Sequence, residues 1–318
     1  MNLRLSVLDQ SPIPEGSSAG DALRNTIDLA QCADRLGYHR YWLAEHHGTA
    51  ALACASPEAL IGPVAMATRK LRVGSGGIML PHYSALKVAE TFSMLAGLYP
   101  GRIDLGLGRA AGTSPRIALA LQRDRRSHMP DDFREQLDEL IAYLSNQRSV
   151  VPIHFESPEL WLLGSSEQSA IWAAELGLPY AFADFINPGG APYARYYAEH
   201  SQKPRTAVAV AAICAGTDAE ALRLSASVRM MLLMLLRGRS IPVPELEKAQ
   251  TFLRGESMAF ELLPVGRRLI SGSPSTVRRG IETVASEYGA EEVLIVTITH
   301  DHEARKKSYE LIAAEFAL

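Results

Sequence analysis

Cysteine is scarce in this chain of 318 residues. Three occur, Cys32, Cys54 and Cys214, odd in number and far apart. No Cys-x-x-Cys spacing is present, which argues against a zinc ribbon or a disulfide framework. A basic excess is also missing. Lys and Arg total 32 against 35 Asp and Glu, a formal charge of -3, so the electrostatic footprint of a nucleic-acid binder is absent. The short clusters Arg69-Lys70-Leu71-Arg72 and Arg123-Asp124-Arg125-Arg126 read as solvated helix ends. Long apolar runs are missing too. The longest, from Met230 to Leu236, is far too short to cross a bilayer, and Met1-Asn2-Leu3-Arg4-Leu5 runs into a strand pattern with no secretory signal. No Gly-x-x-x-x-Gly-Lys-Ser/Thr loop occurs, which removes a P-loop. A soluble, reduced, cytoplasmic protein is expected. What remains, 47% hydrophobic and 21% charged, is ordinary globular composition rather than a disordered one.

The chain alternates short apolar runs with longer amphipathic ones. Strands are predicted over 3–8, 40–43, 71–80, 102–107, 160–163, 180–183, 206–215 and 292–298. Helices are predicted over 22–36, 58–68, 85–98, 131–145, 166–176, 193–200, 219–236, 274–288 and 303–317. Residues 237–266, with Pro242, Pro244 and Pro264, break the rhythm and read as an insertion. Eight strand–helix units favour a single α/β domain over 1–318, a TIM (β/α)8 barrel with insertions, over a doubly wound open sheet.

A barrel of this type works at the C-terminal ends of its strands. There the sequence places Ala44-Glu45-His46-His47, Gly76-Gly77-Ile78 with Pro81-His82-Tyr83, Gly106-Leu107-Gly108-Arg109, and Gly164-Ser165-Ser166. The last follows an apolar strand and opens a helix, whose free N–H groups bind phosphate; Ser169 lies one turn on, and plain N-capping by Ser165 or Ser166 is the alternative. Arg109 suits bidentate pairing with the same phosphate, or a solvated loop. The Gly-x-Gly there lacks the third glycine at Rossmann spacing. Val73-Gly74-Ser75-Gly76-Gly77-Ile78 weakens a strand that otherwise wants bulk, which implies either close approach of a flat ring to the backbone or a β-bulge. Glu45-His46-His47 offers an acid beside two imidazoles. A metal site formed with His300 and His302 is disfavoured, because Asp301 explains those residues as a helix cap.

These motifs together resemble the bacterial luciferase-like flavin-dependent monooxygenases. The resemblance is carried by Tyr41-Trp42-Leu43-Ala44-Glu45-His46-His47, Val73-Gly74-Ser75-Gly76-Gly77-Ile78-Met79-Leu80-Pro81, Pro100-Gly101-Arg102-Ile103-Asp104-Leu105-Gly106-Leu107-Gly108-Arg109, Leu162-Leu163-Gly164-Ser165-Ser166 followed by Ala173-Ala174-Glu175-Leu176-Gly177-Leu178-Pro179, and Gly272-Ser273-Pro274 with Asp301-His302-Glu303, in order along nearly the whole chain. The resemblance implies a barrel that receives reduced FMN from a separate NAD(P)H:flavin reductase. With O2 it would insert one oxygen atom into a small organic substrate through a flavin 4a-(hydro)peroxide. It implies that Arg109, Ser165, Ser166 and Ser169 hold the flavin phosphate. The family's non-proline cis peptide beneath the ring falls on Gly76-Gly77, and its catalytic histidine on His46. A homodimer through helices 58–68 and 85–98, a lid over 237–266, and substrate-selecting loops at 48–56, 110–130 and 237–266 are further expectations. Two departures stand out: the reactive cysteine of luciferase aligns with Gly108, and an acidic residue of its phosphate turn with Ser165. The alternatives are a deazaflavin-dependent hydride-transfer enzyme on the same fold, a metal-dependent barrel hydrolase, and a non-catalytic flavin-binding relative.

Overall fold

The computed structural model describes residues 3–109, 115–121, 131–145, 147, 156–256 and 268–318. The basic cluster at 123–126 and parts of the expected substrate-selecting loops and lid lie outside them. In chain order the elements are β1 (Arg4–Asp9), α1 (Ala19–Leu36), β2 (Arg40–Leu43), α2 (Pro57–Ala67), β3 (Arg72–Met79), a 3-10 turn (Leu80–His82), α3 (Ala85–Leu98), β4 (Ile103–Gly108), α4 (Pro115–Leu121) and α5 (Phe133–Leu144). They continue with β5 (Glu159–Gly164), α6 (Glu167–Leu176), β6 (Tyr180–Ala183), α7 (Ala191–His200), β7 (Thr206–Cys214), α8 (Asp218–Leu224), α9 (Ala226–Leu236), α10 (Leu246–Gly255), β8 (Ile270–Gly272), α11 (Pro274–Tyr288), β9 (Glu292–Val296) and α12 (His302–Phe316).

Eight parallel strands close a barrel in the order β1-β2-β3-β4-β5-β6-β7-β9, with β9 returning to β1. The open-sheet alternative is thereby excluded. The short β8 pairs with the last three residues of β7 and is not one of the eight staves. It was not foreseen, since three residues carry too little periodicity to announce a strand. The expected helix 219–236 is broken at Ser225. The Ser225 hydroxyl donates to the Leu222 carbonyl at 2.7 Å and accepts from Arg229 Nε at 2.8 Å, a side-chain competition that a periodicity argument does not register. The insertion contains α10, whose Ala249 and Leu253 pack on Ala226, Met230 and Leu233 of α9. α1 starts three residues earlier than expected, because Ser18 and Asp21 form a capping box.

Strand residues alternate strictly between two environments. Val7, Tyr41, Leu43, Leu105, Leu107, Leu162, Val293 and Ile295 face the helices, while Leu8, Trp42, Trp161, Leu294 and Val296 face the barrel axis. The N-terminal end of the interior is filled by charge. Arg40 Nη1 bonds Asp104 at 2.8 Å and Glu159 at 2.9 Å, and its Nε bonds Glu292 at 2.8 Å. Arg72 reaches Asp104, and Arg205 reaches Glu159, both at 2.5 Å. Trp42 Nε1 donates to Asp104 at 2.9 Å, and the Arg40 guanidinium lies 4.8 Å from the Trp161 ring centre. Three guanidiniums thus meet three carboxylates in one plug, with Arg40, Asp104 and Glu292 buried and Arg72, Glu159 and Arg205 reaching its solvent edge. Burial pushes the Glu159 carboxyl up, but Arg40 and bonds from Arg40 and Arg205 outweigh it and hold the group at about 2.

Removing one partner of such a network leaves charges buried and unpaired. Arg40→Met is expected to lower the unfolding free energy by about 3–5 kcal/mol, read from urea denaturation. A loss under about 1 kcal/mol would mean that the plug does not stabilise the barrel.

Candidate active site

The C-terminal half of the barrel interior is hollow because its inward positions carry small residues. Ala44, Gly76, Gly108, Ala181, Ala183 and Ala209 line a cavity of about 340 Å³. All seven site residues singled out from the sequence, His46, Gly76, Gly77, Arg109, Ser165, Ser166 and Ser169, line this same cavity. They come from the ends of β2, β3, β4 and β5 and the start of α6.

The Gly76-Gly77 peptide is cis, and the register of β3 against β4 slips between Gly76 and Ile78. The glycines are therefore part of a bulge as well as of the cavity wall. Protein atoms already crowd them. A Cβ on Gly76 would sit 2.6 Å from Leu8 Cδ1, and one on Gly77 2.8 Å from the Gly106 carbonyl oxygen. Side chains at these two positions would have to push neighbouring strands apart.

Arg109 leaves the end of β4 with its guanidinium 5.5 Å from the Trp172 ring centre and 3.5 Å from Asp131. Trp172 and Phe133 also line the cavity, and neither was foreseen. Opposite lies the N-terminus of α6. Ser166 takes the extended N-cap conformation but makes no side-chain capping bond, so the first N–H groups of the helix are not covered by it. Asn187 Nδ2 donates to the Ser165 carbonyl at 3.0 Å and holds the turn from the loop after β6. Ser169 differs from its neighbours. It is buried, donates to the Ser166 carbonyl at 2.7 Å and lies 2.9 Å from the Tyr180 hydroxyl. Its proton is already used in shaping the turn.

His46 stands on the wall of this cavity and of a second one, about 540 Å³, beneath residues 238–241. Its amide donates to the Cys54 carbonyl at 2.9 Å. Its Nδ1 is buried without a hydrogen-bond partner. Burial, with a smaller contribution from His47, pushes the imidazole down to about 4, so the ring is neutral at pH 7. His47 is held differently, with Nε2 at 2.7 Å from the buried Glu45 carboxylate, whose other oxygen accepts the Met79 amide at 2.9 Å. Glu45 thereby joins the β2 loop to the end of β3. His300 bonds the Glu15 carbonyl and His302 bonds Asp28. Among the described residues no group of three or more His, Cys, Asp and Glu is placed to hold a metal ion. No helix there is long and apolar enough to cross a membrane.

The profile of the family described as luciferase-like monooxygenase matches residues 3–292. The chain belongs to this family. It is 37% identical over 321 residues to a luciferase-like monooxygenase of Escherichia coli (strain K12), covering 97% of this chain and 96% of that one. The solved structure of apo-MsnO8 superposes with a TM-score of 0.92 at 39% identity, over 100% of this chain and 98% of that one. The oxygenating constituent of 3,6-diketocamphane monooxygenase from Pseudomonas putida shares the fold, with a TM-score of 0.77 at 21% identity over 100% and 98% of the two chains. Membership makes the chain an oxidoreductase and a monooxygenase. Sequence reasoning did not reach Gln10, Trp172, Asn187 or the second cavity. The run of alanines at alternate positions of β7, Ala207, Ala209 and Ala211, was the signal for the hollow interior.

A buried neutral histidine links stability to pH. The folded group resists protonation until about 4, whereas the unfolded one titrates near 6.5. Stability from this source is complete above about 6.5 and is lost as pH falls through 6 and 5 towards about 4. His46→Phe is expected to lose less stability than the wild type between those limits, measured by urea unfolding at a series of pH values. Parallel curves would show that His46 is not desolvated.

Proposed function

We propose that the chain is an FMN-dependent monooxygenase served by a separate NAD(P)H:flavin reductase, acting on a small organic substrate and O2. The observation that carries this reading is the convergence of Arg109 and the uncapped N-terminus of α6 on one cavity whose far wall is Gly76-Gly77. A dianionic phosphate suits a guanidinium facing free helix N–H groups. The unpartnered Nδ1 of His46 is a further fit, because a buried polar atom without a partner costs free energy unless a ligand meets it. The diketocamphane oxygenase, solved in complex with FMN, shares the barrel.

In this reading Arg109, Ser165, Ser166 and the first amides of α6 bind the phosphate, and Asn187 and Ser169 set the turn. The bulged backbone at Gly76-Gly77 lies along the ring. Bound in its reduced form, FMN supplies the electrons that activate O2. The apolar wall of Leu8, Trp42, Leu163 and Leu294 keeps water from the reacting atoms. His46 stays neutral, and a proton at Nδ1 is exchanged only with whatever occupies the site.

Oxidised FMN is expected to bind the purified chain, and Arg109→Ala to weaken it about tenfold or more, as for loss of a charge-assisted hydrogen bond. Photoreduced FMN mixed with aerated buffer is expected to reoxidise on the protein with a time course unlike free flavin. Tighter binding of a deazaflavin with no oxygen consumed would overturn the reading. A homodimer is also proposed through α2 and α3, which leave Met66 78%, Met94 55% and Leu98 68% exposed. Light scattering is expected to give twice the chain mass, and Leu98→Glu to give the monomer. A monomeric wild type would sink the dimer.

A further inference from the structure

The second cavity is larger than the first, and its walls are mostly aliphatic: Ile213, Val228, Met231, Leu232, Val296 and Ile298 among them. Six side chains with hydrogen-bonding groups also reach it: Gln10, His46, His47, Thr49, Ser240 and Arg268. Four of these are already engaged. His47 is bonded to Glu45 at 2.7 Å. Thr49 and Ser240 bond each other at 2.6 Å, and Ser240 also accepts the Ala50 amide at 3.1 Å. Arg268 is tied to Glu287 at 2.9 Å and lies 3.5 Å from Asp184, so its charge is answered by two carboxylates. Gln10, one residue past β1, is different. Among the described residues nothing hydrogen-bonds its side-chain amide. It lines both cavities, as His46, Phe185 and Ile186 do, and therefore stands at the boundary between them.

We propose that the larger cavity takes a neutral, mainly aliphatic molecule with one hydrogen-bond acceptor, and that Gln10 at the shared boundary holds that acceptor towards the first cavity. This rests on the reading that the first cavity takes the flavin. The Nδ1 of His46 is also without a partner but is sealed from the surface, so the uncommitted amide of Gln10 is the group that an apolar-walled chamber offers for one oriented bond beside burial of hydrocarbon. A carboxylate would enter a chamber whose one described guanidinium is already neutralised, and would lose hydration without gaining a partner. Gln10 is thus a positioning residue for substrate. Its NH2 group donates, which lets it serve a carbonyl or an ether-like oxygen equally.

The test uses the full-length chain without flavin. The neutral fluorophore N-phenyl-1-naphthylamine is bound and then displaced by nonane, 2-nonanone or nonanoate. The ketone is expected to displace it roughly five- to tenfold better than the alkane, the order of one net hydrogen bond, and nonanoate to compete less well than the ketone. Gln10→Leu is expected to abolish the advantage of the ketone while leaving displacement by nonane unchanged, which also shows that the variant is folded. Leu232→Trp, which fills the chamber, is expected to lose the fluorophore but keep oxidised FMN. Equal competition by nonanoate, or a ketone advantage that survives in Gln10→Leu, would overturn the proposal, as would failure of all three ligands to compete. Failure of FMN to bind while this displacement pattern holds would sink the flavin reading and leave the chamber's selectivity standing. The reverse pattern would do the opposite.

Discussion

Arg40 is the residue on which the rest of the interior depends. A parallel barrel must fill its axis or collapse, and the sequence commits bulk and charge to one end of that axis. One guanidinium, almost wholly buried, bonds carboxylates from β4, β5 and β9 and stacks over Trp161. It ties three staves that are distant in sequence, and Arg72 and Arg205 complete the charge balance. With that end closed by hydrogen bonds whose directions are fixed, the other end tolerates Gly and Ala at inward positions. The cavities exist because the plug supports staves that do not touch across the hollow. Buried ion pairs are weak evidence for net stability, but this network also specifies which strands meet.

The hollow end carries some of the polar atoms that folding left without partners. Nδ1 of His46 and the first N–H groups of α6 could have been satisfied by a neighbouring hydroxyl or a capping serine. They are not, and both belong to residues that line the cavity into which Arg109 opens. Groups that elsewhere would be a defect in packing are here the groups that the proposed function gives to a ligand. Glu45 illustrates the support behind them. It is fully buried, grips His47 with one oxygen and the Met79 amide with the other, and so keeps the His46 loop in register with the bulge at Gly76-Gly77. Ser169 braces the turn before α6 in a similar way, by holding its carbonyl rather than by presenting a donor.

Much of this was legible from residue order. Tyr180–Ala183 and Arg40–Leu43 coincide with their expected strands, and the other six staves differ by a residue or two at their ends. Period-two alternation is strong where one face meets helices and the other meets the axis. The glycine-rich strand implies a bulge or the close approach of a ring, and its register against β4 does slip between Gly76 and Ile78, while both glycines also line the cavity. Elements stabilised by one side chain escaped. Ser225 breaks a helix by bonding a carbonyl, and β8 is a three-residue graft on β7. Gln10 escaped because a lone glutamine after a strand has no pattern. Its meaning comes from Thr49, Ser240 and Arg268 having spent their bonds elsewhere.

By itself the sequence determined the alternation of eight strand–helix units, which favours a barrel without closing it, and it marked which loops would share the active end; closure itself came from β9 returning to β1. It also marked Arg109, Ser165, Ser166 and His46 by residue type and position after strands. Only the tertiary structure decided that these residues face one cavity and that Ser169 turns its hydroxyl back into the protein. Only it decided that a second, larger chamber adjoins the first at Gln10 and His46. The physical reason is that chemistry type is a property of residues, whereas partnership is a property of three-dimensional neighbours. Which hydrogen bonds are already made, and which are left for a ligand, is settled by strands and loops that meet only when the barrel closes.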